Sequence, residues 1–480
     1  MPPSSRRWRP AAGVLLAAAA LVALAACSPA PFFRGPNSIF TDHTETNRDV
    51  NGLFSSLFFF GTIVFVLVEA LLVYTIVKFR RKPGQAEPRH VHGNTTLEVL
   101  WTAIPAVILI FIAVPTVRTI FRTQAKARPG ALQVEVIGHQ WWWEFRYPEY
   151  NITTANELYL PVGRTVNFAL KTADVLHSFW IPALSGKRDL IANHTNYLWF
   201  TPDRVGTMAW NGHCAEYCGA SHGVMKFRVY TVTPEQFASW AKGQQQAAAF
   251  GAVANAGTTS GPQTAGAPAA AAATAKQAAA GERPNGPRAG EQGLADEAAA
   301  RNNPAPTQNA SGKGAAGNPN GDVTPTTAAQ QAQVAASPTA GYTFPAAALP
   351  RHVLPATPIP GTLERRVNVA LVGDPQRGLQ KFNQVCIGCH YVNGNPLAIG
   401  KIAPNLTHVG SRNTIAAGLY PNDTKHLRAW LKNSREMKPG VTMPTLGEGE
   451  IDPLTKKKAV GLLLSDQQIA DVAAYLQALK

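Results

Sequence analysis

Cys214-Ala215-Glu216-Tyr217-Cys218-Gly219-Ala220-Ser221-His222-Gly223-Val224-Met225 packs two thiols, an imidazole and a thioether into one short stretch. Thiolate and thioether are soft donors that favour copper, and imidazole suits it as well. A second imidazole, His177, lies upstream in Asp174-Val175-Leu176-His177-Ser178-Phe179-Trp180. One ligand on an early strand and the rest on a late loop is the layout of mononuclear copper electron-transfer sites. Those sites need one cysteine, whereas two cysteines spaced C-x3-C can bridge two copper ions. The rival is zinc, which accepts two cysteines and two histidines in a tetrahedron. Met225 and an extracytoplasmic setting, argued below, weigh toward copper. His213 and His194 also lie nearby and are read as structural or solvent-facing.

Outward from this loop, residues 130–235 read as an all-β domain. Val134 and Val136 alternate with polar residues, and further β-rich runs cover Val162 to Leu170, Tyr197 to Phe200 and Phe227 to Val232. Gly, Pro and Asn turns separate them, the pattern of an antiparallel sandwich or barrel.

The flank before this domain is membrane sequence. Leu57 to Val77 and Val99 to Val117 are apolar on every face, each near the ~20 residues needed to cross a bilayer, and helices are expected over about 53–80 and 97–121. Lys78, Arg80, Arg81, Lys82 and Arg89 lie between them, and such positive charge marks the cytoplasmic side. The chain therefore forms a hairpin and everything after Phe121 lies outside. Glu69 within the first span is a functional candidate because a carboxylate there is costly; bonding to a partner helix is the plainer reading. Arg6, Arg7 and Arg9 precede an apolar run from Ala11 to Ala26 ending Leu24-Ala25-Ala26-Cys27. This reads as a lipoprotein-type signal peptide over 1–26, with Cys27 as the lipidated residue. Ser5-Arg6-Arg7 matches only part of a twin-arginine signal.

Beyond the β domain a linker is expected over 236–362, and from Gln244 to about Pro360 the sequence is dominated by Ala, Gly, Pro, Gln, Thr and Asn, with Phe250, Tyr342 and Phe344 as rare aromatics. Such a segment buries too little apolar surface to offset chain entropy and reads as a flexible tether. A second domain, 363–480, follows. Its Cys386-Ile387-Gly388-Cys389-His390 is C-x-x-C-H, in which two thiols can add to haem vinyl groups and the histidine can ligate iron. A helix-like segment, Gln376 to Val385, leads into it, and an amphipathic helix from Asp466 to Leu479 closes the chain. The sixth ligand is expected to be a methionine, Met437 or Met443, with His408 and His426 read as surface or structural.

The five cysteines are thus one near the N-terminus and two pairs set among metal-binding residues, rather than a disulfide framework. The 480-residue chain carries a formal charge of +15. No nucleic-acid module accompanies that charge, which is read as lying in the membrane-facing loop and the C-terminal domain.

The loop resembles the dinuclear copper (CuA) loop of cytochrome c oxidase subunit II. Asp174 to Pro182 is similar to that family's D-V-x-H-S-F-W-x-P stretch, and Gly138-His139-Gln140-Trp141-Trp142-Trp143 to its aromatic segment. The resemblance runs from about Val50 through Val232. It implies a cupredoxin-like domain after a two-helix transmembrane hairpin. Cys214 and Cys218 would bridge two coppers, His177 and His222 would each cap one, and Met225 and the Glu216 carbonyl would be weak axial ligands. It also implies a Mg²⁺ shared with subunit I through the Glu216 carboxylate, electron arrival through Trp141, and a proton-channel entrance at Glu98. The plainer role of Trp141, Trp142 and Trp143 is packing and interfacial anchoring, and that of Glu98 is dipole compensation at a helix start.

Lys438-Pro439-Gly440-Val441-Thr442-Met443-Pro444 resembles the K-P-G-x-x-M-P loop of cytochromes c fused to oxidases, which selects Met443 over Met437. The whole chain resembles subunit II of caa3-type oxidases, with an all-α class I cytochrome c domain at its C-terminus. The implied partners are oxidase subunits I and III and a donor such as a cytochrome c or a quinol–cytochrome c reductase. The implied place is the bacterial inner membrane, multi-pass, with both redox domains on the periplasmic side. Nitrous oxide reductase requires a large histidine-rich propeller that is absent from the sequence. A quinol-oxidase subunit fits poorly with both copper cysteines present, and a copper-delivery protein with a fused haem domain.

Overall fold

The computed structural model describes residues 35–81, 84, 92–125, 127, 129–248, 341–349 and 357–480. The expectations for the signal peptide, Cys27, Lys82, Arg89 and most of the tether fall outside them. Two long helices come first, α1 (Glu45–Lys78) and α2 (Thr95–Gln124). Both start before the expected 53 and 97, because Thr44 and Asn94 cap them upstream of the apolar runs, accepting from the amides of Asn47 and Leu97, while α1 ends two residues short of 80 and α2 runs three past 121. Their apolar stretches are long enough to cross a membrane and no side chain in them is buried by the rest of the chain.

The start of α1 is tied into the β domain. Thr44 Oγ1 donates to Leu184 O at 2.5 Å, and Asn47 Nδ2 donates to Pro182 O at 3.2 Å. Across the hairpin, Arg122 meets Asp49 at 3.0 Å, and Trp199 Nε1 donates to Ala125 O at 2.7 Å. The segment joined to β6 is therefore fastened directly to the outer end of the hairpin.

Ten strands follow: β1 (Leu132–His139), β2 (Trp142–Tyr147), β3 (Ile152–Ala155), β4 (Glu157–Pro161), β5 (Val166–Thr172), β6 (His177–Trp180), β7 (Arg188–Leu190), β8 (Asn196–Phe200), β9 (Trp210–Cys214) and β10 (Lys226–Val232). They form two five-stranded sheets, ordered β3-β2-β1-β5-β8 and β4-β10-β9-β6-β7. The pairs β1–β5 and β10–β4 are parallel and the others antiparallel. Side chains of period two fill the space between the sheets: Val134, Trp143, Phe145, Phe168, Phe179, Phe200 and Phe227 are fully buried. Phe179 and Phe227 stack at 4.9 Å, with Trp143 tilted against both. This is a cupredoxin-like sandwich.

The boundary expected at residue 235 needs correction. A capping box at Thr233 and Gln236 starts α3 (Pro234–Gln245), which lays Phe237 and Trp240 on the sandwich. Trp240 stacks on Tyr159 at 4.7 Å. The far end of the expected tether returns to the same core, where Tyr342, Phe344 and Leu349 are buried. Tyr342 and Phe344, two of the sparse aromatics that interrupted the polar composition, are thus core residues of the β domain, while Phe250 lies outside the described residues.

The C-terminal domain is helical: α4 (Pro375–Val385), α5 (Thr424–Met437) and α6 (Asp466–Ala478), with a small β11 (Thr414–Ile415) and β12 (Tyr420–Pro421) hairpin. Asp374, Asp423 and Ser465 cap the helices, each accepting an amide three residues on. α4 and α6 cross at glycine contact. A Cβ on Gly378 would lie 2.1 Å from Asp471 O, and one on Gly373 would lie 2.1 Å from Ala470 O. Arg377 fastens the crossing with two 2.9 Å hydrogen bonds to the Asp471 carboxylate. This is a class I cytochrome c fold.

Candidate metal centre and haem site

Strand pairing brings the distant imidazole to the thiols. β6 runs antiparallel to β9 with Phe179 opposite Cys214, so His177 at the start of β6 reaches the end of β9. The chain then loops through residues 215–225 and returns as β10. Cys214 Sγ is 3.8 Å from Cys218 Sγ and 3.8 Å from His177 Nδ1. On the other side, Cys218 Sγ is 3.7 Å from His222 Nδ1 and 3.7 Å from Met225 Sδ. The Glu216 carbonyl oxygen lies 3.2 Å from Cys214 Sγ. His177, Cys214, Cys218 and Met225 are all buried.

Both cysteines are free, and 3.8 Å is far beyond the ~2.05 Å of a disulfide. Five side-chain donors and a carbonyl exceed the four positions of a structural zinc site. The donors divide into an imidazole beside each thiol, with the thioether and the carbonyl flanking the two sulfurs. That set fits two soft cations sharing the thiolates better than one zinc.

Burial works to raise the Cys214 thiol, but hydrogen bonds from His177 and the Ser178 backbone outweigh it and bring it down to about 7. Burial and then the neighbouring Cys214 charge push Cys218 up to about 12. Two adjacent thiols oppose one another's ionisation, and a bound cation would favour the thiolate form of both. His177 is oriented from behind: its Nε2 meets Asp174 Oδ1 at 2.8 Å, leaving Nδ1 toward the thiols. Asp174 is in turn held by the amides of Gln140 and Val175, each at 2.7 Å. This carboxylate–imidazole pair is the outer-shell arrangement that fixes a ligand's ring. Its signal was in the Asp174–His177 spacing, but only the strand end gives it direction.

Gly138 makes room for the same ring, since a Cβ there would lie 2.8 Å from His177 Cδ2. Gly138→Ala is expected to cost about 1–3 kcal/mol by overpacking, read as a lower denaturation midpoint of the metal-free protein, with weaker metal binding because His177 shifts.

The three tryptophans separate in space. Trp141 Nε1 donates to Cys218 O at 2.9 Å, so its indole lies on the metal loop. Gly219, at φ +112°, permits this approach, as a Cβ would be 2.9 Å from Trp141 Cζ2. Trp142 stacks on His139 at 4.0 Å, and Trp143 is fully buried in the core. His213, next to Cys214, lies on the opposite face of β9 and bonds Asn37 Oδ1 at 2.9 Å. His194 meets Asn196 at 3.2 Å at the surface. Glu98 lies exposed in the first turn of α2, and Glu69 is exposed on α1.

In the helical domain, Cys386 ends α4, and the amides of Cys389 and His390 both turn back to its carbonyl. His390 Nδ1 donates to Pro404 O at 2.8 Å, which leaves Nε2 as the free ligand atom. Backbone bonds from Gly400 to Ile387 and from Ala403 to Cys389 lay residues 399–403 beside the motif. Ile399 and Ile402 there are 70% and 76% exposed, an apolar surface that a porphyrin would cover. The cradle and the free Nε2 fit haem. Met437 is buried inside the domain, whereas Met443 sits in a loop, partly buried, its carbonyl accepting from Ser434 Oγ at 3.0 Å. His408 bonds Gln246 O at 3.1 Å, and His426 is engaged by the capping Asp423.

A cupredoxin-like sandwich on an apolar helical hairpin, joined to a class I cytochrome c fold, defines a membrane-anchored protein with two candidate redox sites. The transmembrane domain of cytochrome c oxidase subunit II matches residues 40–119, its periplasmic domain matches residues 151–232, and cytochrome c matches residues 375–480. The cytochrome c oxidase subunit 2 of Alkalihalophilus pseudofirmus is 40% identical over 187 residues, 38% of this chain and 54% of that protein. That of Bacillus sp. strain PS3 is 40% identical over 182 residues, 35% of this chain and 51% of that protein. The chain thus spans about half the length of these two relatives. A probable cytochrome c oxidase subunit 2 of Rickettsia bellii is 31% identical over 216 residues, 41% of this chain and 79% of that protein. The chain belongs to the cytochrome c oxidase subunit II family, with a cytochrome c domain fused at its C-terminus.

Proposed function

We propose that this chain is the electron-receiving subunit of a haem–copper terminal oxidase of caa3 type. It passes electrons from haem c to a dinuclear copper centre and on to subunit I, where oxygen is reduced to water with proton pumping. The observation that carries the reading is the convergence of two thiols, two imidazoles and a thioether within 3.7–3.8 Å contacts. Copper bound there, and haem on the C-terminal domain, would each supply a one-electron centre.

The chain's own residues take the following roles. Cys214 and Cys218, shared between the two ions, would hold the copper pair together with His177, His222, Met225 and the Glu216 carbonyl. Burial of His177, Cys214, Cys218 and Met225 would limit their movement between oxidation states of a bound copper pair. Asp174 holds His177, and Trp141 lies between the metal loop and the arriving electron. Cys386 and Cys389 would anchor haem, and His390 and Met443 would hold its iron. The Glu216 carboxylate reaches a Mg²⁺ shared with subunit I, and Glu98 stands at a proton entrance. Cys27 is lipidated after removal of residues 1–26. The hairpin is multi-pass in a bacterial inner membrane with both redox domains outside, in complex with subunits I and III. A cytochrome c or a quinol–cytochrome c reductase supplies the electrons.

Optical and EPR spectra of the haem- and copper-loaded protein test this. A c-type absorption with a mixed-valence two-copper signal is expected. Zinc in the thiol site, with haem bands alone, would sink it.

A further inference from the structure

The two redox domains share a buried polar seam. Glu157, which opens β4, is 3% exposed, and its Oε1 accepts both the amide and Oγ1 of Thr414 from the haem domain, each at 2.9 Å. Arg228 of β10 is fully buried. It donates to Asn211 Oδ1 within the sandwich at 2.6 Å and to Gly418 O across the seam. Asn413 Nδ2 donates to Phe344 O at 2.7 Å, and Asn405 Nδ2 donates to Thr153 O at 3.1 Å.

At the far end of the same contact, the loop preceding Met443 meets the metal loop. Lys438 Nζ donates to Trp141 O at 2.6 Å, and Ser221 Oγ donates to Pro439 O. Gly440, at φ +91°, is so close that a Cβ would lie 2.7 Å from Ala220 Cβ. Burial pushes the Glu157 carboxyl up, while Thr414 and the Arg412 charge act to lower it. A buried carboxylate and a buried guanidinium, each completed by the other domain, are strongly destabilised when the domains part.

We infer that Glu157 and Arg228 form a latch for residues 412–418, holding the haem domain in one pose with its Met443 loop against Trp141 and the metal loop. This deepens, and rests on, the electron-receiving reading. Residues 405–418 and 438–440 then act as positioning elements, and electron exchange between the centres does not wait for a tethered domain to search for its site.

The test uses the full-length, haem- and copper-loaded protein. Amide exchange at position 414 reports domain separation, and flash reduction of the haem, repeated at rising viscosity, reports whether a search limits electron exchange. Protection at 414 and a viscosity-independent rate are expected. Arg228→Met leaves the Glu157 acceptor in place, so a merely local role would not change exchange at 414; the latch predicts at least tenfold faster exchange, with unchanged haem absorbance. Thr414→Val, made on the haem side, keeps volume and serves if the buried arginine variant fails to fold; it is expected to make the flash rate slower and viscosity-dependent. An unprotected amide at 414 in the unmodified protein, or Arg228→Met exchange equal to wild type, overturns the latch, as does an unaltered flash rate in Thr414→Val. Protection at 414 that responds to Arg228→Met, without any electron exchange between the centres, would leave the latch standing and remove the electron-receiving reading instead.

Discussion

Cys218→Ser is expected to eliminate the two-copper signal of the proposed centre while leaving the haem spectrum intact. Cys218 is the point where the two halves of the donor set meet: its sulfur lies 3.7–3.8 Å from the Cys214 thiol, the His222 imidazole and the Met225 thioether. An alcohol at that position is a harder donor, and a neutral one, in a buried pocket whose charge balance requires thiolate. Losing an outer-shell partner typically weakens metal binding about 10–100-fold, so loss of a sulfur proposed to be shared by both ions is expected to exceed ~100-fold. Metal titration of the purified variant, followed by EPR, checks this. A mixed-valence pair persisting in the serine variant would show that Cys218 does not bridge. The haem absorption is the internal control, because Cys386, Cys389 and His390 belong to the helical domain, whose core cluster contains neither thiol of the copper loop.

The second large effect separates the two methionines. Met443→Ala is expected to lower the haem potential by on the order of 100–300 mV, within the ~0.8 V that axial ligands span, because a thioether favours the reduced iron. Met437→Ala is expected to leave the potential near wild type and to lower stability by about 2–5 kcal/mol, as a truncated core side chain. Met437 is 5% exposed and its carbonyl accepts the Tyr420 hydroxyl at 2.8 Å, which marks it as packing. A spectroelectrochemical titration with thermal unfolding distinguishes the pair, and a potential that falls with Met437 instead would reverse the assignment.

Docking changes what the connection between the domains does. A free tether raises effective concentration but leaves orientation to chance. The seam at Glu157, Arg228 and Thr414 fixes orientation as well, with Pro439 and Gly440 before Met443 lying on Ser221 and Ala220 of the loop that carries Cys218. The polar composition around residues 236–362 concealed this, since the residues that hold the segment's ends are a few aromatics, Trp240, Tyr342 and Phe344, each buried against the sandwich. Composition averages over a window, whereas packing depends on the individual ring.

Chemistry carried by neighbouring residues was determined by the sequence alone. Cys214, Cys218, His222 and Met225 lie in one loop, Cys386, Cys389 and His390 in one turn, and the apolar runs of the hairpin need only their length. In each, the spacing along the chain already limits the distance in space. Tertiary structure decided what joins distant parts. The β6–β9 register brought His177 to Cys214, and the position of Asp174 turned its ring. Packing sent Trp141 to the metal loop, Trp142 to His139 and Trp143 to the core. The seam between Glu157 and Thr414 spans 257 residues. Such pairings depend on sheet register and on complementarity between two finished surfaces, and no local pattern of residues encodes either.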